Sequence, residues 1–457
     1  MRYKRIFLIA PRVESFSDIP PIGLGHIASF LDYKGISYDL LDLNLGYSDI
    51  DLMQKIKELS PDLVGVTGHT VLKHKSLYSL INKISNEGYD TVIGGPLVST
   101  FHSKVLEDCN VTYAVKFEGE DTLLELCDGR PLEGIRGLIY RKNGRIIENE
   151  DRARQQNLDE IPFPAYKGFE LQKYPRKTLA IISSKGCPYN CNFCQFKILS
   201  GNKFRARSAE NVIEELSYWY SKGYRSFEFY DDNLLVDKKR ISKICDLIVE
   251  SKLTGMILVA GYVRVDHIDE AITKQMRRAG FVQVSLGAES GNDRVLKKMN
   301  KGQTVSQIKK AVKLLCDLKF RVVLDTTIGH PAETMLDARE TINLALKLPI
   351  YKSYFYNLVP IPGTELYEWV KNNNYFVIPP EIYTNYNAEE IATIPIFETP
   401  GFSYQQRKKA LKLARCIAFY IEFRYRLKLK FEHLFNFLIN NIKHHNNSKG
   451  RSLRTSI

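Results

Sequence analysis

Residues 178–194 read TLAIISSKGCPYNCNFC: an apolar run that ends on small polar residues and turns directly into a Cys-x3-Cys-x2-Cys spacing of Cys187, Cys191 and Cys194. A short apolar run closed by a glycine-bearing turn is the pattern of a buried strand. Three thiols within eight residues can wrap three corners of an iron–sulfur cube, and Gly186, Pro188 and Asn190 suit a tight loop. No fourth ligand follows, since the next cysteine is Cys245 and no histidine lies between His102 and His267. A structural zinc site normally closes with four protein ligands, so zinc would need a distant partner, whereas a cluster with one open iron keeps a position free for another molecule. The alternative is three small buried hydrophobes, the usual state of free cysteine. Clustering of three of the eight cysteines in one turn weighs against it, while Cys109, Cys127, Cys245, Cys316 and Cys416 occur singly and read as core.

Downstream of the loop, strand patterns at 226–230, 256–260, 282–287, 321–326 and 352–357 follow the first at 179–183, most of them separated by helical patterns of ten or more residues. This predicts a parallel (β/α) barrel of about six units, shorter than the complete eight, with its chemistry at the carboxyl ends of the strands. Upstream, apolar runs at 5–10, 37–41, 63–67, 91–93 and 111–114 alternate with amphipathic stretches at 23–33, 50–59, 75–86, 100–106 and 121–127. That alternation predicts a doubly wound, Rossmann-like α/β domain that binds ligands at its strand ends. A hairpin pattern at 137–147 and the prolines Pro162, Pro164 and Pro175 mark a linker. The expected organisation is a first domain over 1–135, hairpin and linker over 136–176, barrel over 177–362 and a C-terminal helical region with a basic tail over 363–457.

With 44% hydrophobic and 26% charged residues in 457, the chain is neither disordered, collagenous nor a disulfide scaffold. No apolar run reaches the length of a spanning helix, and only five apolar residues precede Pro11 after the basic start, too few for a secretory signal. The expected location is the cytoplasm. The net charge of +13 is a tail property: residues 407–457 hold 13 Lys and Arg against Glu422 and Glu432, a net +11, which leaves +2 for the rest. So neutral a body gives little support to nucleic-acid binding, and a nonenzymatic iron–sulfur nucleic-acid-binding protein is the remote alternative.

The cysteine loop behind the first barrel strand, with Phe193 just before Cys194, resembles the signature of radical S-adenosylmethionine (radical SAM) enzymes. The stretches Phe229-Tyr-Asp-Asp232, Gly287-Ala-Glu-Ser-Gly291, Arg294-Val-Leu-Lys-Lys-Met-Asn-Lys301 and Pro360-Ile-Pro-Gly-Thr-Glu365 resemble the same superfamily in order and strand-end placement. The N-terminal part, through Pro20-Pro-Ile-Gly-Leu-Gly25, Asp42-Leu-Asn44, Ile93-Gly-Gly-Pro96 and Glu118-Gly-Glu120, resembles the cobalamin-binding domain of the cobalamin-dependent class.

The resemblance implies a [4Fe-4S] cluster on Cys187, Cys191 and Cys194, whose open iron chelates S-adenosylmethionine and whose electron breaks its sulfur–carbon bond to give a 5′-deoxyadenosyl radical. It places Phe193 near the adenine, and Glu289, Ser290, Asp232 and Arg264 as candidates for holding the methionine or ribose groups. Read as residues alone, Glu289 is equally a loop carboxylate and Asp232 a helix cap. For cobalamin the candidates are Asp42, Thr67, His69, Gly94, Gly95, Pro96 and Glu118. Asp42 is followed by Leu43, Asn44, Leu45 and Gly46, without the histidine of the Asp-x-His-x-x-Gly pattern, which implies base-off cobalamin. His69 is otherwise a solvated loop residue, and Gly94 and Gly95 otherwise a plain turn.

Cobalamin beside a radical generator implies C-methylation of an unactivated carbon in a small or lipid-like metabolite, with His330 and Tyr356 as candidate substrate-lining residues. The alternative is a cyclase, oxidative or rearrangement enzyme whose N-terminal domain serves recognition without cobalamin. An electron donor such as flavodoxin or ferredoxin is an implied partner. Residues 416–440 interleave aromatics with Arg424, Arg426, Lys428 and Lys430, so the tail reads either as a helix packed on the barrel with a solvated basic face or as an interfacial helix in peripheral membrane contact.

Overall fold

Near-continuous apolar runs in the N-terminal third form strands covered on both faces, as a parallel sheet requires. β1 (Arg5–Ala10), β2 (Ser37–Asp42), β3 (Leu63–Thr67), β4 (Thr91–Gly94) and β5 (Tyr113–Val115) pair in parallel in the order β2-β1-β3-β4-β5. The hairpin β6 (Leu138–Lys142) and β7 (Arg145–Glu148) adds to β5 antiparallel and completes a seven-stranded sheet. The boundary expected at 135 therefore falls inside this sheet, because β6 pairs along the free edge of β5. The computed structural model describes residues 1–12, 18–68, 72 and 74–452, with side chains through Phe431. Leu8 pairs with Leu40 on one side and Gly65 on the other, so the strand order reverses at β1 and opens a crevice at its carboxyl end.

The helix expected at 100–106 is instead two short ones, Pro96–Phe101 and Lys104–Asp108. Pro96 starts the first a turn early, and His102, at φ 51°, breaks the run.

The cysteine loop leaves β8 (Thr178–Ile181) through β9 (Ser184–Lys185), which pairs with β10 (Arg205–Ala206). β11 (Ser226–Phe229), β12 (Ile257–Arg264), β13 (Phe281–Glu289), β14 (Arg321–Ile328) and β15 (Lys352–Asn357) join β8 in a six-stranded parallel sheet, order β15-β14-β13-β12-β11-β8. The ends β15 and β8 do not pair, which makes a partial barrel. Capping boxes at Ser48/Asp51, Thr304/Gln307 and Thr334/Asp337 fix helix starts between strands. One buried cluster runs from Ile6 and Leu8 of the first sheet to Leu258 and Leu324 of the second, so the two sheets share a core. The C-terminal region carries the long helix Tyr404–Ser452, which starts well ahead of the aromatic stretch.

Candidate active site

Gly186, at φ 84°, opens the cysteine loop, and a Cβ there would stand 2.2 Å from the Lys203 carbonyl oxygen, so no other residue fits. Its N–H donates to Asp232 Oδ2 at 2.7 Å. Neighbouring Asp231, fully buried, accepts from the Ser183 N–H at 2.6 Å and the Ser184 hydroxyl at 2.8 Å. On the far side, Asn300 Nδ2 donates to the Asn190 carbonyl at 2.8 Å and Asn192 Nδ2 to the Lys298 carbonyl at 2.9 Å. The Asp231-Asp232 pair and the 294–301 stretch thus clamp the loop from two sides.

All three cysteines line a cavity of about 440 Å³, together with Phe193, Asp232, Arg264, Glu289, Lys301, Asp325 and Tyr356. Among the described residues no three His, Cys, Asp or Glu side chains converge on one ion position. A closed zinc site is therefore not formed, whereas three thiols bordering an open cavity are the donor set of a cluster with one free corner. Burial pushes the Cys194 thiol up to about 12 and raises Cys191, so both stay protonated until metal displaces the proton.

Glu289 ends β13 at φ 61°, just past a slip in the pairing with β14. The left-handed turn aims its carboxylate into the cavity, where Oε1 accepts from Lys301 Nζ at 2.8 Å. Burial works against the Lys301 charge, but Glu289 and Cys191 outweigh it and hold the ammonium above the usual lysine range. Arg264 lies over the Tyr189 ring at 3.7 Å, donates twice to Asp266 at 3.0 Å, and brings Nη1 to 4.0 Å from Cys191 Sγ. Lys301 and Arg264 are thus fixed cations beside the thiol loop. The same turn that brings Glu289 inward turns Ser290 away: it is fully buried, accepts from the Asn292 N–H at 3.3 Å, and does not line the cavity.

His330 also lies behind the wall, its Nδ1 accepting from the Ala332 N–H at 3.2 Å, and burial with the Arg407 and Arg294 charges pushes it down to about 4. Tyr356 does face the cavity and donates to Asp325 Oδ1 at 3.3 Å. Burial, then the Glu289 charge, push Asp325 up to about 7. Sequence reasoning missed Asp325 and Lys301 as site residues. An aspartate inside the apolar strand 321–328 was the available signal for the first.

At the carboxyl ends of the first sheet, a cleft of about 170 Å³ is lined by Leu8, Gly65, Thr67, Gly94, Gly95 and Gly119. A Cβ at Gly65 would meet the Leu8 side chain at 3.0 Å, one at Gly119 would meet Val115 at 2.9 Å, and Gly95 sits at φ 97°. This backbone-walled cradle suits a nucleotide tail that must lie close to main chain, and it fits cobalamin. Thr67, Gly94 and Gly95 therefore meet as expected. Asp42 does not, because it is buried capping Asn44 N–H at 2.9 Å and accepting from Tyr174 at 2.6 Å. His69 lies outside the described residues.

Between the domains a third cavity, of about 190 Å³, is lined by Gly95, Pro96, Phe117, Glu118, Lys185 and Asp232 among others. Glu118 accepts from Arg205 Nη2 at 2.8 Å and Nη1 at 3.2 Å and from the Gln155 N–H at 2.9 Å, with Lys185 Nζ at 3.5 Å. Burial opposes its charge, but Lys185 and Arg205 hold the carboxyl below the usual range.

Residues 181–345 match the radical SAM superfamily, and residues 10–127 match the B12 binding domain family. An uncharacterized methyltransferase of Pyrococcus horikoshii is 34% identical over 95% of this chain and 96% of its own length. The cytidylyl-2-hydroxyethylphosphonate methyltransferase of Streptomyces wedmorensis is 25% identical over 80% of this chain and 81% of its own. The fold matches that of the radical S-adenosylmethionine methyltransferase TsrM from Kitasatospora setae, solved with cobalamin and a [4Fe-4S] cluster, with a TM-score of 0.73 at 19% identity over 90% of this chain and 91% of the other.

Proposed function

Because the chain belongs to the radical SAM enzymes that carry an N-terminal B12-binding domain, we propose that it methylates an unactivated carbon of a small or lipid-like metabolite. When bound, the cluster supplies the electron that cleaves S-adenosylmethionine, and cobalamin supplies the methyl group. One observation carries this reading. Asp232 lines both the thiol cavity and the interdomain cavity, while Gly95 and Phe117 line both the interdomain cavity and the glycine cleft. The three cavities are therefore neighbours that share wall residues, which supports two cofactors acting on one substrate.

The protein's own work is binding, orientation and exclusion of side reactions. Cys187, Cys191 and Cys194 hold iron, and Asp232 keeps their loop in place through Gly186. The Glu289–Lys301 pair offers a carboxylate and an ammonium to the amino and carboxylate groups of S-adenosylmethionine, with Phe193 beside them on the wall. Asp325 and Tyr356 present a polar face to the substrate, and at about 7 Asp325 can hold or accept a proton at Oδ2 near neutral pH. A flavodoxin or ferredoxin is the proposed electron donor. A lipid-like substrate would be met at a bilayer surface, and peripheral membrane contact belongs to the same reading.

The test is product analysis on protein purified without oxygen from cells supplied with cobalamin. Near-stoichiometric cobalamin, 5′-deoxyadenosine and a product heavier by one methyl group are expected. Replacing all three cysteines by alanine should remove the cluster and S-adenosylmethionine cleavage together, and cleavage that survives would sink the assignment. A cyclised product without methyl gain would move the enzyme to the cyclase alternative.

A further inference from the structure

The helix Tyr404–Ser452 presents two unlike faces. One is packed: Ala410, Leu411, Ala414 and Ile421 are buried, Arg424 donates to the Leu346 and Leu348 carbonyls at 2.6 and 2.7 Å, and Tyr425 meets the Tyr351 ring at 5.1 Å between centroids. On the other side, Phe419, Tyr420, Phe423, Leu427 and Phe431 fall within about 120° of arc at 3.6 residues per turn. Water reaches all five, with Phe419 76%, Phe423 50% and Phe431 67% exposed. The Phe419 and Phe423 rings stack with 6.5 Å between centroids, so the stripe is continuous.

So much aromatic surface left in water is a cost unless something covers it. The border of the stripe says what. Lys408, Lys412 and Lys430 are exposed along one edge beside Arg426, which pairs with Glu422, the only acidic residue of 404–431, itself also near Lys352. A second copy of this face would bring like charges together. Anionic headgroups would neutralise the same edge, while the rings enter the boundary with the acyl chains and the lysine stems follow them. Among the described residues no helix is long and apolar enough to cross a membrane, so the contact is interfacial.

We propose that this stripe, from Phe419 to Phe431 with its basic border, docks the enzyme on an anionic lipid bilayer, which rests on and deepens the peripheral contact proposed above. Because Arg424 and Tyr425 pin the helix to the barrel beneath it, docking also fixes how the barrel lies on the surface.

The experiment is co-sedimentation of the holoenzyme with vesicles of phosphatidylcholine and phosphatidylglycerol, against phosphatidylcholine alone, at low and high salt. Binding should require phosphatidylglycerol and weaken with salt. The double variant Phe419→Ser/Phe423→Ser should bind at least roughly tenfold more weakly, as should Lys412→Glu/Lys430→Glu, again by roughly tenfold. Iron–sulfur absorbance and vesicle-free cleavage of S-adenosylmethionine should be unchanged in both, which separates loss of docking from loss of the enzyme. Wild-type protein that ignores phosphatidylglycerol vesicles, or binds phosphatidylcholine equally, would overturn the proposal while leaving the chemistry of the site standing. Variants that sediment like wild type would overturn this face, and a wild-type dimer dissolved by the phenylalanine changes would assign it to a second copy instead.

Discussion

Lys301 Nζ lies 2.8 Å from Glu289 Oε1 in the wall of the thiol cavity, and Glu289 reaches that position only through a left-handed backbone at φ 61°. A buried pair held at such a conformation marks a site where local strain is kept for what the side chain does.

Breaking one side of this pair leaves the other charge uncompensated, at a cost of about 3–5 kcal/mol. Lys301→Met should therefore destabilise the fold by that order, read by chemical unfolding of the anaerobic protein. Glu289→Gln keeps the shape but leaves the buried Lys301 ammonium without its carboxylate, so it should lose stability as well and, with the cluster spectrum intact, raise the Kd for S-adenosylmethionine. Unchanged affinity would remove Glu289 from the binding site.

Gly186→Ala places a Cβ against the Lys203 carbonyl at a left-handed φ, so the loop must shift. The expected cost is of order 1–3 kcal/mol, together with loss of iron and sulfide after reconstitution. Full cluster content in this variant would show that the loop tolerates a different path.

Gly95→Val fills the glycine cradle at the end of the first sheet and meets the Gly68 carbonyl oxygen, which lies 3.0 Å from a built Cβ. The variant should lose bound cobalamin while keeping the cluster absorbance, because the cysteine loop makes no use of that glycine. Loss of both together would instead report unfolding.

Asp325 holds its proton to about pH 7 in the fold but gives it up near 4 when unfolded. The native state therefore binds the extra proton between those values, and stability falls as pH rises from about 4 to about 7, then levels. Asp325→Asn removes that slope, so wild type minus variant stability should decline across this window in pH-dependent melts. A difference that stays flat would place Asp325 in water. If Asp325 serves turnover, the variant should also lose a pH dependence centred near 7 in product formation, with 5′-deoxyadenosine release retained.

The cysteine loop was legible because its spacing is written into one short stretch, and Cys187, Cys191 and Cys194 do border one cavity. The strand alternation was legible for the same local reason. What escaped depends on contacts distant in sequence or on single dihedral angles. Ser290 was expected in the site because it stands beside Glu289 in the Gly287–Gly291 stretch that carries the resemblance, but adjacent side chains at a strand end point to opposite sides, and Ser290 is buried against Asn292 instead. Asp42 looked free until Tyr174, far along the chain, took its carboxylate. The hairpin at 138–148 looked like linker because nothing local says that β5 awaits a partner. The tail was read from its aromatic stretch, and the helix that carries it begins with the buried Arg407 and Ala410 well upstream.

Glu118 is held by a guanidinium and a backbone N–H from beyond its own domain, at Arg205 and Gln155. A seam of this kind limits modularity. An N-terminal domain exchanged with that of a relative would arrive with its own sheet and its own glycine cradle. It would still face the cysteine loop across a mismatched junction unless positions 118, 155, 185 and 205 travelled with it. The two halves are thus constrained to change as one inherited unit, and chimeras cut at the linker should fail at the seam before they fail at either cofactor.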